Sequence, residues 1–369
     1  MDFALSQDQT ALQDSLGRTL DRVLPMERLR AIAGQDAPRA ADVDQALTEL
    51  GLPAMLVPEA FGGLGLSVLD AALACEALGR ATAPYPFIGG ALAALALTEC
   101  GNEALQTLWL PKIAGAEARF GLAISEAASG ARLNGGVSAK GGTLSGRSLF
   151  VLDADGANAF LVADSAGGLH VVAADAKGLT QTALITIDRT RSVGELSFAD
   201  TPAVLLSSDP KLLRRVTDVG RCLIAADTLG AAQGMLDRAV EYAKTRQQFG
   251  RIIGSFQAVK HLCAEMAAKL EPCRSLVWYA AYAQDALPEE ATLTAAHAKA
   301  HLADVGQFVA RTSTEVFGGI GITDLLGLHY AFKRIGLNRQ LLGAPERARR
   351  DAAAAQGFVA EGFVTSPEV

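Results

Sequence analysis

The chain has 369 residues, of which 50% are hydrophobic and 20% are charged, so it can bury a large core, and its length indicates two or three domains. Its 33 basic and 40 acidic residues give a net charge of −7, which argues against nucleic acid as a partner. The 5 scattered cysteines form no Cys-x-x-Cys pair, which favours free thiols in a reducing compartment over disulfides or a zinc site. The sequence opens without a cationic and apolar leader and has no apolar run of about 18 residues, so we expect a cytoplasmic protein with neither a metal nor a membrane partner.

Residues 1–116 predict an all-helical domain. Apolar residues recur at helical spacing in LSQDQTALQDSLGRTLDRVL and DVDQALTEL, and the breaker-rich PEAFGGLGLS separates these segments from two further helices.

Residues 117–208 predict a small β-barrel or sandwich. Short apolar or alternating runs such as RFGLAIS, NAFLVA and LHVVAA are separated by glycine turns such as NGG, KGG and SAGG. Short strands at regular spacing with glycine turns are typical of such folds.

Residues 209–369 return to helical periodicity and predict a four-helix-type bundle. Seven residues step by three and four along one predicted helix: Phe256, Val259, Cys263, Met266, Leu270, Cys273 and Val277. We expect Pro272 to kink this helix or divide it in two, because proline lacks the backbone N–H that an interior turn needs.

The segment TRQQFGRIIGSFQ lies between two helical patterns of the predicted bundle. Arg246 could simply be a solvated charge near a helix end, where a cation suits the helix dipole. Phe249 can instead lie against a flat ring, Gln257 can both donate and accept, and an arginine binds a pyrophosphate through a planar fork of donors. Together they predict a site for an aromatic ligand that carries phosphate.

A second glycine cluster, EVFGGIGIT, exposes the backbone for another close contact through Gly318, Gly319 and Gly321. Neither segment is a GxGxxG motif after a strand, so a Rossmann dinucleotide site is not supported.

With these residues in view, the whole chain resembles the acyl-CoA dehydrogenase family. The segments PEAFGGLGLS, EALGRATAPYPF, TRQQFGRIIGSFQ and FGGIGITDLLGLHYAFKR match family segments in the family's order. The resemblance implies the predicted domain order, a bound FAD and assembly into tetramers. It also implies that six residues hold the ADP half of FAD across a subunit boundary: Arg246, Phe249, Gln257, Gly318, Gly319 and Gly321.

The resemblance further implies that the β-domain holds the flavin ring. Ser125 would reach the ring edge, and Phe150 falls where many family members place a tryptophan against the ring. Leu152 stands where a threonine usually bonds the flavin, and the family's Gly-Ser-Asp motif is replaced within SGAR. Ser125 and Phe150 could equally be an ordinary strand end and core ring.

In the family, a glutamate removes the α-proton of an acyl-CoA while a hydride leaves the β-carbon for the flavin. Members place that glutamate at one of two positions, which we call the base seats. In this chain the base seats are Gly220 and Leu342, and neither holds an acid. The arginine beside the first seat is retained as Arg221, which the resemblance implies for substrate binding. The catalytic residue is therefore unknown from the sequence.

Other acids and the histidines offer no clear replacement. Glu315 would lie unfavourably near a pyrophosphate, Glu346 is expected to pair with Arg349 or Arg350, and Asp218 points to another face of its helix. The histidines that we considered read as structural: His261, His297, His301 and His329.

Three hypotheses remain. The chain is the subunit without a catalytic base in a heteromeric dehydrogenase, with a related chain supplying the glutamate, an acyl-CoA as substrate and an electron-transfer flavoprotein as acceptor. LGRATAPYPF and LLGAPE resemble paired bacterial dehydrogenases for bulky, steroid-type acyl groups. Alternatively, it is a flavin-dependent oxygenase on the same fold, or a non-catalytic subunit that retains the fold.

Overall fold

The computed structural model describes residues 4–35, 39–130 and 132–359, so the outer ends of the two predicted helical domains lie outside the described residues. The predicted order is confirmed: helices come first, a sheet follows, and long helices complete the chain. No helix among the described residues is both long enough and apolar enough to cross a bilayer.

The N-terminal domain contains six helices, and the apolar helix α5 packs between α6, the later helix at 210–245 and the first strand of the sheet. The six helices are α1 (Gln7–Val23), α2 (Met26–Ala33), α3 (Ala41–Glu49), α4 (Val68–Ala81), α5 (Phe87–Glu99) and α6 (Glu103–Ala114). Ser6 and Ser67 cap α1 and α4 with side-chain hydrogen bonds, which satisfy donors that helix starts leave open. Helix α5 is buried around most of its circumference, as its alanine- and leucine-rich sequence predicts.

The middle of the chain forms one eight-stranded sheet beside a short helix, α7 (Ser125–Ser129). The strands are β1 (Phe120–Ala123), β2 (Gly136–Lys140), β3 (Thr143–Leu152), β4 (Ala159–Ala163), β5 (Leu169–Ala173), β6 (Leu179–Leu184), β7 (Val193–Pro202) and β8 (Val204–Ser207). Their order is β6-β7-β3-β1-β4-β5-β8, with β2 also on β3, and only β1 and β4 pair in parallel.

Strand β4 shows why this sheet has two cores. Leu161 belongs to the large core shared with the helices, whereas its neighbours Phe160 and Val162 belong to a smaller core within the β-domain. Successive strand residues point to opposite faces, so both faces of β4 are buried, and its sequence is apolar without alternation.

Long helices form the C-terminal domain. They are α8 (Pro210–Thr245), α9 (Gln257–Ala286), α10 (Pro288–Phe317), α11 (Leu328–Gln340) and α12 (Pro345–Ala355). In the predicted stripe of α9, Met266, Leu270, Cys273 and Val277 are buried, whereas the three residues nearer its start are half-buried. Pro272 does not divide the helix: α9 continues on both sides of it, and its neighbours in the stripe remain packed in the core.

Helices α4 and α8 cross at two glycines, which fixes the N-terminal domain against the bundle. A Cβ on Gly79 would lie 2.0 Å from the carbonyl oxygen of Asp227, and one on Gly230 would lie 1.8 Å from that of Glu76. Any larger residue would separate the helices. The β-domain is fixed to α5 by Asp153, whose carboxylate accepts a 2.8 Å hydrogen bond from the Gly89 backbone N–H.

A buried ion cluster joins the β-domain to the bundle. Arg334 of α11 binds Asp188 at 2.6 Å and Asp227 of α8 at 3.1 Å, and Arg191 binds Asp227 at 3.0 Å. Burial raises the pKa of Asp227, but the two guanidinium groups outweigh this effect and hold its pKa below the ordinary value. The cluster fixes the position of α11, and therefore of the segment that follows it.

Candidate functional site

The two base seats lie against each other in the interior. A Cβ on Gly220 of α8 would lie 2.5 Å from Cδ1 of Leu342 and 3.0 Å from Cδ1 of Leu92 on α5. Leu342, which follows α11, is 4% exposed and has a φ of 53°. Leucine rarely adopts this left-handed conformation, so surrounding contacts must hold it there. The space over the first seat is filled by the residue of the second.

Arg221 holds this arrangement from within the protein. Its Nε donates a 3.0 Å hydrogen bond to the Leu342 carbonyl, and its Nη2 binds the Asp351 carboxylate of α12 at 2.6 Å. Arg347 binds the other oxygen of Asp351 at 2.8 Å. Arg221 is 1% exposed. The structure thus gives its donors internal partners, and a substrate contact through Arg221 stays a prediction.

Of the other acids, Asp218 is the one near the base seats, with its Oδ1 3.8 Å from Nη1 of Arg221. Asp218 is buried and accepts a 2.7 Å hydrogen bond from Thr292; burial raises its pKa. Glu315 is exposed on α10. Glu346 is also exposed and pairs with Arg339 at 3.5 Å, so the expected pairing with Arg349 or Arg350 is wrong.

The histidines occupy separate places. His261, His297 and His301 are exposed. His329 lies 3.6 Å from Asp324, and partial burial lowers its pKa. His170, which the sequence did not single out, forms a buried pair with Asp164 at 2.7 Å.

The two residues predicted to contact the flavin ring, Ser125 and Phe150, lie on the neighbouring elements α7 and β3. Ser125 is buried at the start of α7, and Phe150 is 39% exposed on β3. The carboxylate of Glu126 accepts a 2.8 Å hydrogen bond from the Leu149 backbone N–H, which ties the neighbours of both residues to each other. The last turn of α7 also reaches the base seats, because the Ala128 carbonyl lies 3.5 Å from Nη2 of Arg221.

The six residues expected around the ADP half of FAD lie at one end of the bundle, and we call them the bundle-end group: Arg246, Phe249, Gln257, Gly318, Gly319 and Gly321. Tyr242 near the end of α8 stacks on Phe317 at the end of α10, with ring centroids 4.4 Å apart. This contact brings Arg246 and the glycine segment to the same surface. Of the group, only Gly321 is buried.

Phe249 stands at the turn of a two-residue hairpin. Strands β9 (Gln247–Gln248) and β10 (Arg251–Ile252) pair across Phe249 and Gly250, whose φ values are 53° and 77°. Positive φ at both central residues defines the tight turn of such hairpins. The Phe249 side chain is 92% exposed. The ring meets Phe256 edge to face, with centroids 6.1 Å apart, and the rest of it is accessible to a ligand or a partner.

The bundle-end group fits the ADP half of FAD. A Cβ on Gly318 or Gly319 would meet nothing within 4 Å, so the backbone there is open to a ligand. Arg246 is exposed at the C-terminal end of α8, with its guanidinium available for a pyrophosphate.

A cleft of about 460 Å³ opens between the β-domain and the start of α8. Its walls include Glu126 and Gly130 from the α7 region, the β4–β5 turn around Asp164, Leu213 of α8 and Arg347 of α12. Arg347 connects the cleft to the base seats through Asp351 and Arg221.

Sequence comparison matches residues 6–117 to the acyl-CoA dehydrogenase N-terminal domain and residues 211–357 to its C-terminal domain. The chain is 30% identical over 354 residues to acyl-CoA dehydrogenase IpdE2 of Mycolicibacterium smegmatis, covering 94% of this chain and 98% of that protein. It is 33% identical to acyl-CoA dehydrogenase FadE34 of Mycobacterium tuberculosis, covering 85% of this chain and 42% of that protein.

Solved structures give the same result. The ChsE4-ChsE5 complex of Mycobacterium tuberculosis superposes with a TM-score of 0.89 at 26% identity, covering 98% of this chain and 100% of the matched chain. A Tcur3481-Tcur3483 steroid ACAD variant superposes with a TM-score of 0.87 at 29% identity, covering 95% and 98%. PigA with FAD and proline shares the fold alone, at 22% identity and a TM-score of 0.83, covering 97% of this chain and 100% of that one.

Proposed function

We propose that this chain, which is a member of the acyl-CoA dehydrogenase family, is the subunit without a catalytic base in a heteromeric FAD-dependent dehydrogenase. The partner would be a related chain that carries the glutamate. The substrate would be a bulky acyl-CoA of the steroid type, and the product a 2-enoyl-CoA.

One observation carries the proposal: the base seats are closed as well as empty of acid. Leu342 and Leu92 fill the space over Gly220, and Arg221 is bound to the Leu342 carbonyl and to Asp351. An aliphatic seal with satisfied donors cannot take up a proton from substrate. One similar structure is named as the ChsE4-ChsE5 complex and another carries the paired name Tcur3481-Tcur3483, which supports a paired assembly.

The chain's own contribution would come from the bundle-end group. When FAD is bound, it supplies the acceptor for the hydride that leaves the substrate's β-carbon. Arg246 would neutralise the pyrophosphate, and Gly318 and Gly319 would allow close backbone approach. Because these residues are exposed in the single chain, the flavin they hold would lie across a boundary with another subunit.

Ser125 and Phe150 would contact a flavin ring held by the chain's own β-domain. Leu152 is buried beside them, so its side chain offers no donor there. We place the assembly in the cytoplasm, since the five cysteines are free. An electron-transfer flavoprotein would be its electron acceptor, as the family membership implies.

Coexpression tests the proposal. The chain alone, supplied with FAD, should dehydrogenate acyl-CoA at a rate lower by about 10²- to 10⁴-fold than the complex with its partner. Replacing the partner's glutamate by glutamine should abolish turnover, whereas Asp218→Asn and Glu315→Gln in this chain should leave the chemical step intact. Loss of the chemical step in either of those two variants would show that this chain carries the base.

A further inference from the structure

The loop after the glycine segment is held mainly through its backbone. The glycine segment is the short helical turn Gly318–Ile322, and the loop, residues 323–327, leads from it to α11. Four successive residues here are exposed: Ile322, Thr323, Asp324 and Leu325. Side-chain packing therefore does little to fix these four residues, and their position depends on what the backbone carbonyls bind.

Two arginines bind three successive carbonyls of this loop. Arg30 of α2 donates from its Nη2 to the Asp324 carbonyl at 2.8 Å and to the Leu325 carbonyl at 2.9 Å. Its Nε also lies 3.2 Å from the Asp324 carboxylate. Arg238 of α8 donates to the Leu326 carbonyl. Hydrogen bonds with a charged donor are about twice as strong as neutral ones, so the two arginines give the loop a defined position.

The two arginines come from different domains. Arg238 lies on α8, the bundle helix that ends beside Arg246. Arg30 lies on α2 of the N-terminal domain, and the first residue of the same helix, Met26, also contacts the loop. A Cβ on Gly327 would lie 2.2 Å from the Met26 sulfur, so the end of the loop packs closely on α2. The N-terminal domain thus restrains the chain that follows the glycine segment.

We propose that Arg30 is a positioning residue for FAD, because it holds the loop and, through the loop, the backbone of Gly318 and Gly319. This inference rests on the proposed function of the bundle-end group, to which Arg30 does not belong. Arg30 acts through the loop and needs no contact with the cofactor. Without it the glycine segment would spend less time in the arrangement that binds FAD, and the apparent affinity would fall in proportion.

Hydrogen exchange and FAD titration of the complex with its partner test this inference. Arg30→Met should raise amide exchange in residues 318–327 of the FAD-free complex by about three- to tenfold, because the loop loses charge-assisted contacts. It should weaken FAD binding by a similar factor, whereas Arg30→Lys, which keeps the charge, should restore part of both. The matched control is Arg28→Met, which removes an exposed arginine of α2 that pairs with Asp42 at 2.8 Å. It should change neither.

Arg246→Ala, measured in the same titration, separates this inference from the proposed function. If Arg246→Ala weakens FAD binding and Arg30→Met leaves it within about twofold of wild type, the positioning role is refuted and the FAD site stands. If neither variant changes the affinity, both are refuted. A weaker affinity in Arg30→Met without faster exchange in residues 318–327 would show that Arg30 does not act through the loop, and would also overturn the inference.

Discussion

The base seats and the bundle-end group differ in how far their side chains are exposed to solvent. At the base seats the side chains are apolar and buried, and the donors of Arg221 have acceptors inside the chain. At the bundle end, Arg246, Phe249 and Gly318 are exposed, and the Phe249 backbone is strained. A subunit that relies on its partner for the catalytic base would keep exposed residues for binding FAD at the subunit boundary. It would have no need of an open position for a base of its own.

Placing an acid at the first base seat should have the largest effect on stability. Gly220→Glu should lower the free energy of unfolding by about 3 to 5 kcal/mol, because it buries a carboxylate between Leu342 and Leu92. Gly220→Ala is the control: the end of the Leu342 side chain can shift and alanine favours helix, so stability should stay within about 1 kcal/mol. Urea titration measures both. A Gly220→Glu protein as stable as wild type, with dehydrogenase activity of its own, would show that the seat is open.

In the bundle-end group, Arg246→Ala should weaken FAD binding in the assembled complex by about ten- to a hundredfold, the value of a charge-assisted contact. Stability should not change, since the side chain is exposed. Lys244→Ala, which removes another exposed cation near the end of α8, is the matched control. Equal FAD affinity in the two variants would remove Arg246 from the flavin site.

The free energy of unfolding should also depend on pH, through Lys299 beside the end of α11. This buried lysine donates to the Asn338 and Arg339 carbonyls at the end of α11, and burial lowers its pKa to about 7. The unfolded chain keeps its proton up to about pH 10, so it binds more protons than the folded chain between these values, and stability rises with pH. Relative to Lys299→Met, wild type should gain up to about 2 kcal/mol between pH 7 and pH 9. A pH-independent difference between the two unfolding free energies would contradict this.

The smallest effect concerns the strain at the bundle end. Phe249→Gly should raise the free energy of unfolding of the free chain by about 1 kcal/mol, because glycine adopts a φ of 53° without steric cost. The same variant should retain less FAD in the complex, because the ring is lost. If FAD retention is unchanged, Phe249 has no role in the flavin site.

Patterns within single elements predicted much of this structure. The helical stripe of α9, the run of short strands and the placement of Arg246 near a helix end all follow from local sequence. Residues at the bundle end could be named because they lie in two short segments next to helix ends, where helix packing brings them together.

Contacts between distant segments could not be predicted in this way. Nothing local to Gly220 shows that Leu342 covers it, and nothing local to Asp188 or Arg334 shows that these charges are buried together. A charged residue in sequence suggests a solvated surface, because burial is favourable only when a partner compensates it. The partner of Asp351 was missed for the same reason.

Single-turnover bleaching of the flavin by a bulky acyl-CoA, followed by absorbance for the chain alone and for the complex with its partner, shows directly which chain carries the base. We expect fast bleaching by the complex, none when the partner's glutamate is replaced by glutamine, and little by the FAD-loaded chain alone. Fast bleaching by the lone chain, abolished by replacing one of its own carboxylates, would show that the base lies in this chain and that its closed seats do not decide its function.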